Sequence, residues 1–216
     1  LDVMLQGAAK PDGPLGRALA TAIASAADQT FREVVGEAIR MRDAMTKWRG
    51  HAGDVDKAVA QLSRALGLAP EETIESVEAE FFSASHIPET EWPTVIAALA
   101  EGSRSDQTQA ERLVKVQRAS GRARVDTYLT IFCTGDFEPR KTLLTRATSQ
   151  KHPALSDRFT AEQARVFSLL DKRRAAFCRD RSAALLHVAD AVIARYAAEK
   201  ARRGLLDYDD LIEKTL

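Results

Sequence analysis

Thr160–Arg203 reads TAEQARVFSLLDKRRAAFCRDRSAALLHVADAVIARYAAEKARR, and no Gly or Pro interrupts it before Gly204. Phe167, Leu170, Phe177, Leu185, Val188, Val192 and Tyr196 recur at spacings of three, four, seven or eight, the signature of one apolar helix face. Thr160 and Gln163 have the spacing of a capping box, which places the helix start there. The spacing predicts a single helix of more than about 40 residues, long enough to cross a whole domain.

Working back from it, Thr134 to Asp157 is polar and carries Gly135, Pro139 and Pro153, so a loop with one helical turn is expected. Before it, Val125, Tyr128, Leu129, Ile131, Phe132 and Cys133 form a short apolar run, read as a helix with a strand as the rival. Ser105-Asp106 opens a helix through Leu113 and Val116, and another holds Trp92, Val95, Ile96 and Leu99 up to Gly102. Pro70-Glu71-Glu72 suits a helix start, with Ile74, Val77, Phe81 and Phe82 as its apolar side. Asp54 is placed to cap a helix that ends at Gly67. From Asp28, itself a plausible N-cap, Phe31, Val34, Val35, Ala38, Ile39, Met41, Met45 and Trp48 share one broad stripe. Residues 1–27, rich in Gly and Pro from Gly7 to Gly16, read as a loop or frayed end. The expected fold is all-α, with about seven to nine helices organised around one long C-terminal helix. A single compact unit over 28–206 is favoured over a separate acidic lobe at 1–104.

Composition supports helices: aromatics are 6% of the 216 residues, while unbranched side chains that lose little freedom in a helix are common. No apolar run approaches the roughly 18 residues a membrane span needs, and no signal peptide is visible behind Leu1-Asp2-Val3. That start suggests a piece of something longer. Cys133 and Cys178 stand far apart without neighbouring ligands, and read as reduced, packed cysteines suited to a cytoplasmic protein. His51, His86, His152 and His187 show no metal-ligand spacing, and His187 beside Val188 reads as a core histidine. Net charge is zero, but residues 1–104 hold 10 Lys/Arg against 16 Asp/Glu and residues 105–216 hold 21 against 15. The excess of cations in the second half hints at a basic face there. Its members would be Arg122 and Arg124 beside Tyr128, Arg140 and Lys141 in the polar loop, and Lys172-Arg173-Arg174 on the long helix. Arg202 and Arg203 suit the negative end of that helix.

The chain ends Tyr196-x3-Lys200-x3-Gly204-Leu205-Leu206-Asp207-Tyr208-Asp209-Asp210-Leu211-Ile212. Physically this is a helix stop and restart. Tyr196 and Lys200 share a face, Gly204 closes the helix, Leu205 and Leu206 can fold back on its last turn, and Asp207 caps the next helix. Asp207, Asp209 and Asp210 also invite a metal reading, but they lack the pattern of an EF-hand loop and capping is the simpler role.

This segment resembles the signature that UvrD/Rep-type DNA helicases show shortly before their Walker B motif, in the version found in the AddA subunit of the bacterial AddAB helicase–nuclease. The run from Asp28-Gln29-Thr30-Phe31 through Glu37-Ala38-Ile39-Arg40 is similar to alphaproteobacterial AddA chains as well. The resemblance implies that 28–206 is the helical 1B subdomain inserted in a RecA-like motor, and that 207–216 begins the return into that motor. It implies a role in holding DNA near the point of strand separation during double-strand-break repair, beside an AddB-like partner. The ATP, magnesium and exonuclease chemistry would belong to the parent. No Gly-x4-Gly-Lys-(Ser/Thr) loop is present, so no catalytic residue, metal site or cofactor site is assigned within the chain. A helical module that docks the partner subunit is the alternative.

Overall fold

The computed structural model describes residues 13–25 and 28–205. Among these, ten α-helices succeed one another: α1 (Pro14–Ser25), α2 (Asp28–Arg40), α3 (Arg42–Ala52), α4 (Val55–Ala65), α5 (Ile74–Ser83), α6 (Trp92–Ala100), α7 (Arg104–Arg118), α8 (Gly121–Phe132), α9 (Arg146–Lys151) and α10 (Pro153–Arg203). A 3-10 turn, Glu89–Glu91, leads into α6. The fold is all-α and its last helix is by far the longest, at 51 residues. The apolar run 125–133 is helical up to Phe132, so the rival strand is not formed.

The helix count exceeds the expected seven to nine for local reasons. Pro14–Ser25 is a helix where a loop was expected. Proline suits the first helical position because its fixed φ is already helical and its missing N–H would have no partner there. Leu15, Ala18, Leu19 and Ala22 then make a narrow apolar stripe, hidden in the sequence by the glycines and prolines just before it. The stripe from Phe31 to Trp48 is split at Met41, which bends the chain yet keeps its N–H on Glu37 O at 2.8 Å. The side chain of Asp28 lies outside the described residues.

Helix ends obey their caps. Asp54 accepts the Lys57 N–H at 2.7 Å, as its position predicts. Pro70–Glu72, expected to start a helix, instead lead into Thr73, which exchanges bonds with Ser76 in a capping box. Ser103 and Asp106 form another at the head of α7. Thr160 lies well inside α10 and bonds back to Ser156 O. The true start is Pro153, again a proline in the first position.

Gly204 sits at φ +63, and the Leu205 N–H reaches Lys200 O at 3.1 Å, so α10 ends in a left-handed turn. Leu205 stays exposed rather than folding back, while Leu206 lies outside the described residues. A Cβ in that conformation is strained, so Gly204→Ala is expected to lower stability by about 1 kcal/mol in a urea titration.

The chain forms two compact units rather than one. Among the described residues, the first comprises those up to Pro70 and those from Phe177 to Leu205; its core joins Phe31 and Val35 to Ala184, Val188 and Val192. The second, Glu71–Ala176, packs α7 against α6 and α8 and inserts the first part of α10. Its centre is aromatic: Trp92 stacks on Tyr128 at 6.2 Å, Tyr128 meets Phe132 at 5.2 Å, and Phe132 meets Phe159 at 6.0 Å. Such pairs contribute about 0.5–1.5 kcal/mol each beyond their buried area.

Candidate nucleic-acid interface

The segment from Thr134 to Thr145 belongs to the second unit and is pinned from below by two glutamines. Gln109 Nε2 donates to Ile131 O and Leu143 O, both at 3.1 Å. Gln163 Nε2 donates to Phe132 O at 2.9 Å and Arg140 O at 3.0 Å. Gln163 thus fastens a loop instead of capping a helix. Above these anchors the Thr134 N–H bonds Glu138 O at 2.8 Å, and Cys133 pairs with Pro139 in the one β-bridge among the described residues. The turn so closed places Phe137 at φ +59 with its ring exposed.

The seven cations predicted to meet DNA divide into two groups. Four are matched to acids on other elements of the unit, mostly on or just before α5. Arg173 is only 7% exposed and bridges Glu78 and Asp126, both at 2.8 Å. Arg122 approaches the same Glu78 at 3.6 Å. Lys172 lies between Glu80, at 2.9 Å, and Glu72, and its bonds to these two carboxylates hold its pKa above the usual lysine value. Arg124 pairs with Glu89, and its guanidinium lies 4.3 Å from the Phe82 ring centre. Tyr128, beside which Arg122 and Arg124 stand in the sequence, is fully buried with the rest of its apolar run.

The other three are Arg140, Lys141 and Arg174. Arg140 donates Nε to Thr130 O at 3.1 Å, Lys141 is exposed, and Arg174 contacts Asp171 with its side chain 56% exposed. They share a neighbourhood. Burial pushes the Cys133 thiol pKa up, and the nearby charges of Arg140 and Arg174 oppose it. Arg112 has its pKa lowered by burial and then by Arg140. Arg174 also stands 5.9 Å from the Phe137 ring centre. Arg112, Arg140 and Arg174 therefore gather around the Cys133–Lys141 turn. Neither Phe137 nor Arg112 was singled out from sequence; a lone aromatic in an otherwise polar loop was the available signal.

Glu162 and Asp106 are the two fully buried acids among the described residues, and Glu162 lies beside the aromatic centre of the unit. Its Oε1 accepts from Tyr128 OH at 2.7 Å and Arg165 Nη2 at 2.6 Å; its Oε2 accepts from the His86 N–H at 2.7 Å and Arg165 Nε at 3.0 Å. Burial pushes the carboxyl pKa up, but bonds from Arg165, Tyr128 and His86 outweigh it and hold it below the usual value. Arg165 also donates to Glu80 O and Phe81 O, carbonyls in the last turn of α5. With its acceptor positions occupied and ionisation favoured, Glu162 is built to join elements, not to move protons.

In the first unit, a cleft of about 260 Å³ is lined by Trp48, Arg49, Val55, Asp190 and Ile193 among others, and Arg49 and Asp190 pair across it at 2.6 Å. His187 is half-exposed and faces Asp56 at 3.4 Å, so it is not a core residue. Cys133 is buried and Cys178 exposed, where both were expected to be packed. Arg202 and Arg203 hold Glu199 at the end of α10. Of the terminal signature, Lys200 lies 5.4 Å from the Tyr196 ring centre, on the shared face its spacing predicts. Asp207, Tyr208, Asp209, Asp210 and Leu211 lie outside the described residues. Among the described residues no group of His, Cys, Asp and Glu could hold a metal ion, and no helix is long and apolar enough to cross a membrane. Compared with known protein families, curated proteins and solved structures, the chain matches none.

Proposed function

We propose that the chain is an accessory DNA-handling subdomain of an ATP-dependent helicase–nuclease of the AddA type, acting in double-strand-break repair and recombination. The observation that carries this reading is the run Tyr196–Ile212, with its spacing of aromatic, lysine, glycine and clustered acids. The cations around the Cys133–Lys141 turn support it, because phosphate contact needs mobile positive groups on a shared surface. ATP and magnesium act in the parent, and an AddB-like subunit is its partner. Exposed Ile23, Val34, Met41 and Trp48 in the first unit favour a second reading, a surface that docks that subunit.

The test is a titration of a forked DNA duplex with the full chain at salt from 50 to about 200 mM. Binding is expected to weaken steeply with salt, and Arg140→Ala, Lys141→Ala and Arg174→Ala each to reduce the log–log slope by about 1. Lys172→Ala and Arg173→Ala are expected to cost stability and leave the slope alone, because their partners are internal acids. Absence of binding at the lowest salt, or a slope indifferent to the first three substitutions, refutes the proposal.

A further inference from the structure

We propose that Phe137 is a stacking post for an unpaired base of single-stranded DNA, with Arg140, Lys141 and Arg174 taking the adjoining phosphates. This deepens the DNA reading above and rests on it. Three observations meet at the turn. The Phe137 ring is 47% exposed in a unit whose other phenylalanines are buried or half-buried. Its backbone holds the left-handed conformation, φ +59, which a bulky L side chain rarely adopts. Exposed Arg174 stands 5.9 Å from the ring centre, and half-exposed Arg140 and exposed Lys141 follow in the chain at the base of the turn.

Burial does not explain this arrangement, since a ring left in water gains nothing from the core. The turn is nevertheless firmly held. Thr134 bonds Glu138 from its backbone N–H, receives the Phe137 N–H on its carbonyl at 3.1 Å, and receives the Glu138 N–H on Oγ1 at 3.1 Å. The Arg140 N–H closes the base on Phe132 O. The ring is therefore presented on a fixed support.

A flat aromatic face beside cations suits a nucleobase, because every base has a π-face and each is linked through its sugar to a phosphate. Asp136 and Glu138 flank Phe137 and are exposed. Their charge repels phosphate from the tip itself, so the backbone runs along Arg140, Lys141 and Arg174 while the base meets the ring. In a duplex the base faces are hidden by their neighbours, and the post should discriminate against it.

The experiment compares binding of the full chain to a single-stranded oligonucleotide and to a blunt duplex of the same length. Phe137→Ala is expected to weaken single-strand binding by about 5- to 100-fold, the range for losing one stacked base, and to leave duplex binding within about twofold. Phe137→Gly suits the positive φ and should reproduce the loss at an unchanged melting temperature, which separates the ring's role from folding. Phe137→Trp should retain affinity, and its added fluorescence should be quenched by the single strand. Unchanged single-strand affinity in Phe137→Gly, or equal loss toward both DNAs, overturns the stacking post while the broader DNA reading stands. Failure of the unsubstituted chain to bind either DNA overturns both.

Discussion

Replacing Glu162 with alanine is expected to destabilise the second unit by about 3–5 kcal/mol, the cost of breaking a buried ion pair from one side. The side chain is fully buried and receives four hydrogen bonds. Its removal leaves Arg165, only 17% exposed, without its counter-charge, leaves the His86 N–H without its acceptor, and leaves the Tyr128 hydroxyl with Ser85 Oγ alone. Glu162→Gln should cost less but still leave a defect, because the amide offers one acceptor oxygen where the carboxylate offers two. Tyr128→Phe removes one donor, and its effect combined with Glu162→Ala should fall well short of the sum. The readout is urea unfolding monitored by near-ultraviolet dichroism, to which Trp92, stacked on Tyr128, contributes directly. A loss below about 1 kcal/mol for Glu162→Ala would show that the carboxylate is not held as described.

Sequence reasoning missed this cluster for a physical reason. Glu162 and Arg165 are neighbours on one helix, but their other partners, His86 and Tyr128, lie 76 and 34 residues away. Periodicity reports which face of a helix is apolar, not which polar residue the fold will carry inside. Where local physics decides, the sequence was readable: Asp54 caps, Gly204 stops α10, and Leu170, Val188 and Val192 fall on buried positions. Where two local signals compete, it was not. Gly13 and Pro14 suggested a loop, yet Pro14 begins a helix. The Thr160–Gln163 spacing matched a capping box, yet an uninterrupted helix surrounds it.

The charge asymmetry shows the same divide. An acidic first half and a basic second half suggested a free basic face. Much of the imbalance instead cancels inside the second unit, where Glu72, Glu78, Glu89, Glu91 and Glu101 face Lys172, Arg173, Arg124, Arg158 and Lys151. Composition counts charges but cannot pair residues far apart in the chain. Lys172-Arg173-Arg174 makes the point most directly. Successive helical residues point about 100° apart, so a basic triplet cannot present one face. The first two turn to acids on or just before α5, while Arg174 pairs only with Asp171 on its own helix and keeps its side chain 56% exposed. Among the candidate residues, then, Lys141 and Arg174 stay exposed and Arg140 half-exposed, and Phe137 comes beside Arg174 only because the turn closes as it does.

Asp106→Asn is expected to lower stability by about 2–3 kcal/mol at neutral pH, and the loss should fade as the solution is acidified. The carboxylate is fully buried between α7 and the start of α9. It accepts from the Ser103 N–H at 3.0 Å and Oγ at 2.9 Å, the Thr145 N–H at 2.8 Å and Oγ1 at 2.6 Å, and Thr148 Oγ1 at 3.0 Å. One side chain thereby completes the capping box of α7 and ties Thr145, just before α9, to it. Gly102 is required beside it, since a Cβ there would meet Asp106 and Thr148 atoms at 2.7 Å. Burial alone would raise the acid's pKa, but the bonds from Thr145, Ser103 and Thr148 outweigh it and lower it from 3.8 to about 2. A depressed folded-state pKa gives stability that is fully present above the unfolded value and disappears as pH falls through the folded one. The unsubstituted chain should therefore lose this contribution between about pH 4 and pH 2, and Asp106→Asn, which has no proton to take up there, should not. Asparagine also turns an NH₂ group toward partners that are themselves donors, so its defect persists wherever the aspartate is ionised. Urea midpoints of both proteins measured from pH 6 down to about 2.5 should converge on the acid side; curves that stay parallel throughout would mean the network is not anchored by an ionised Asp106.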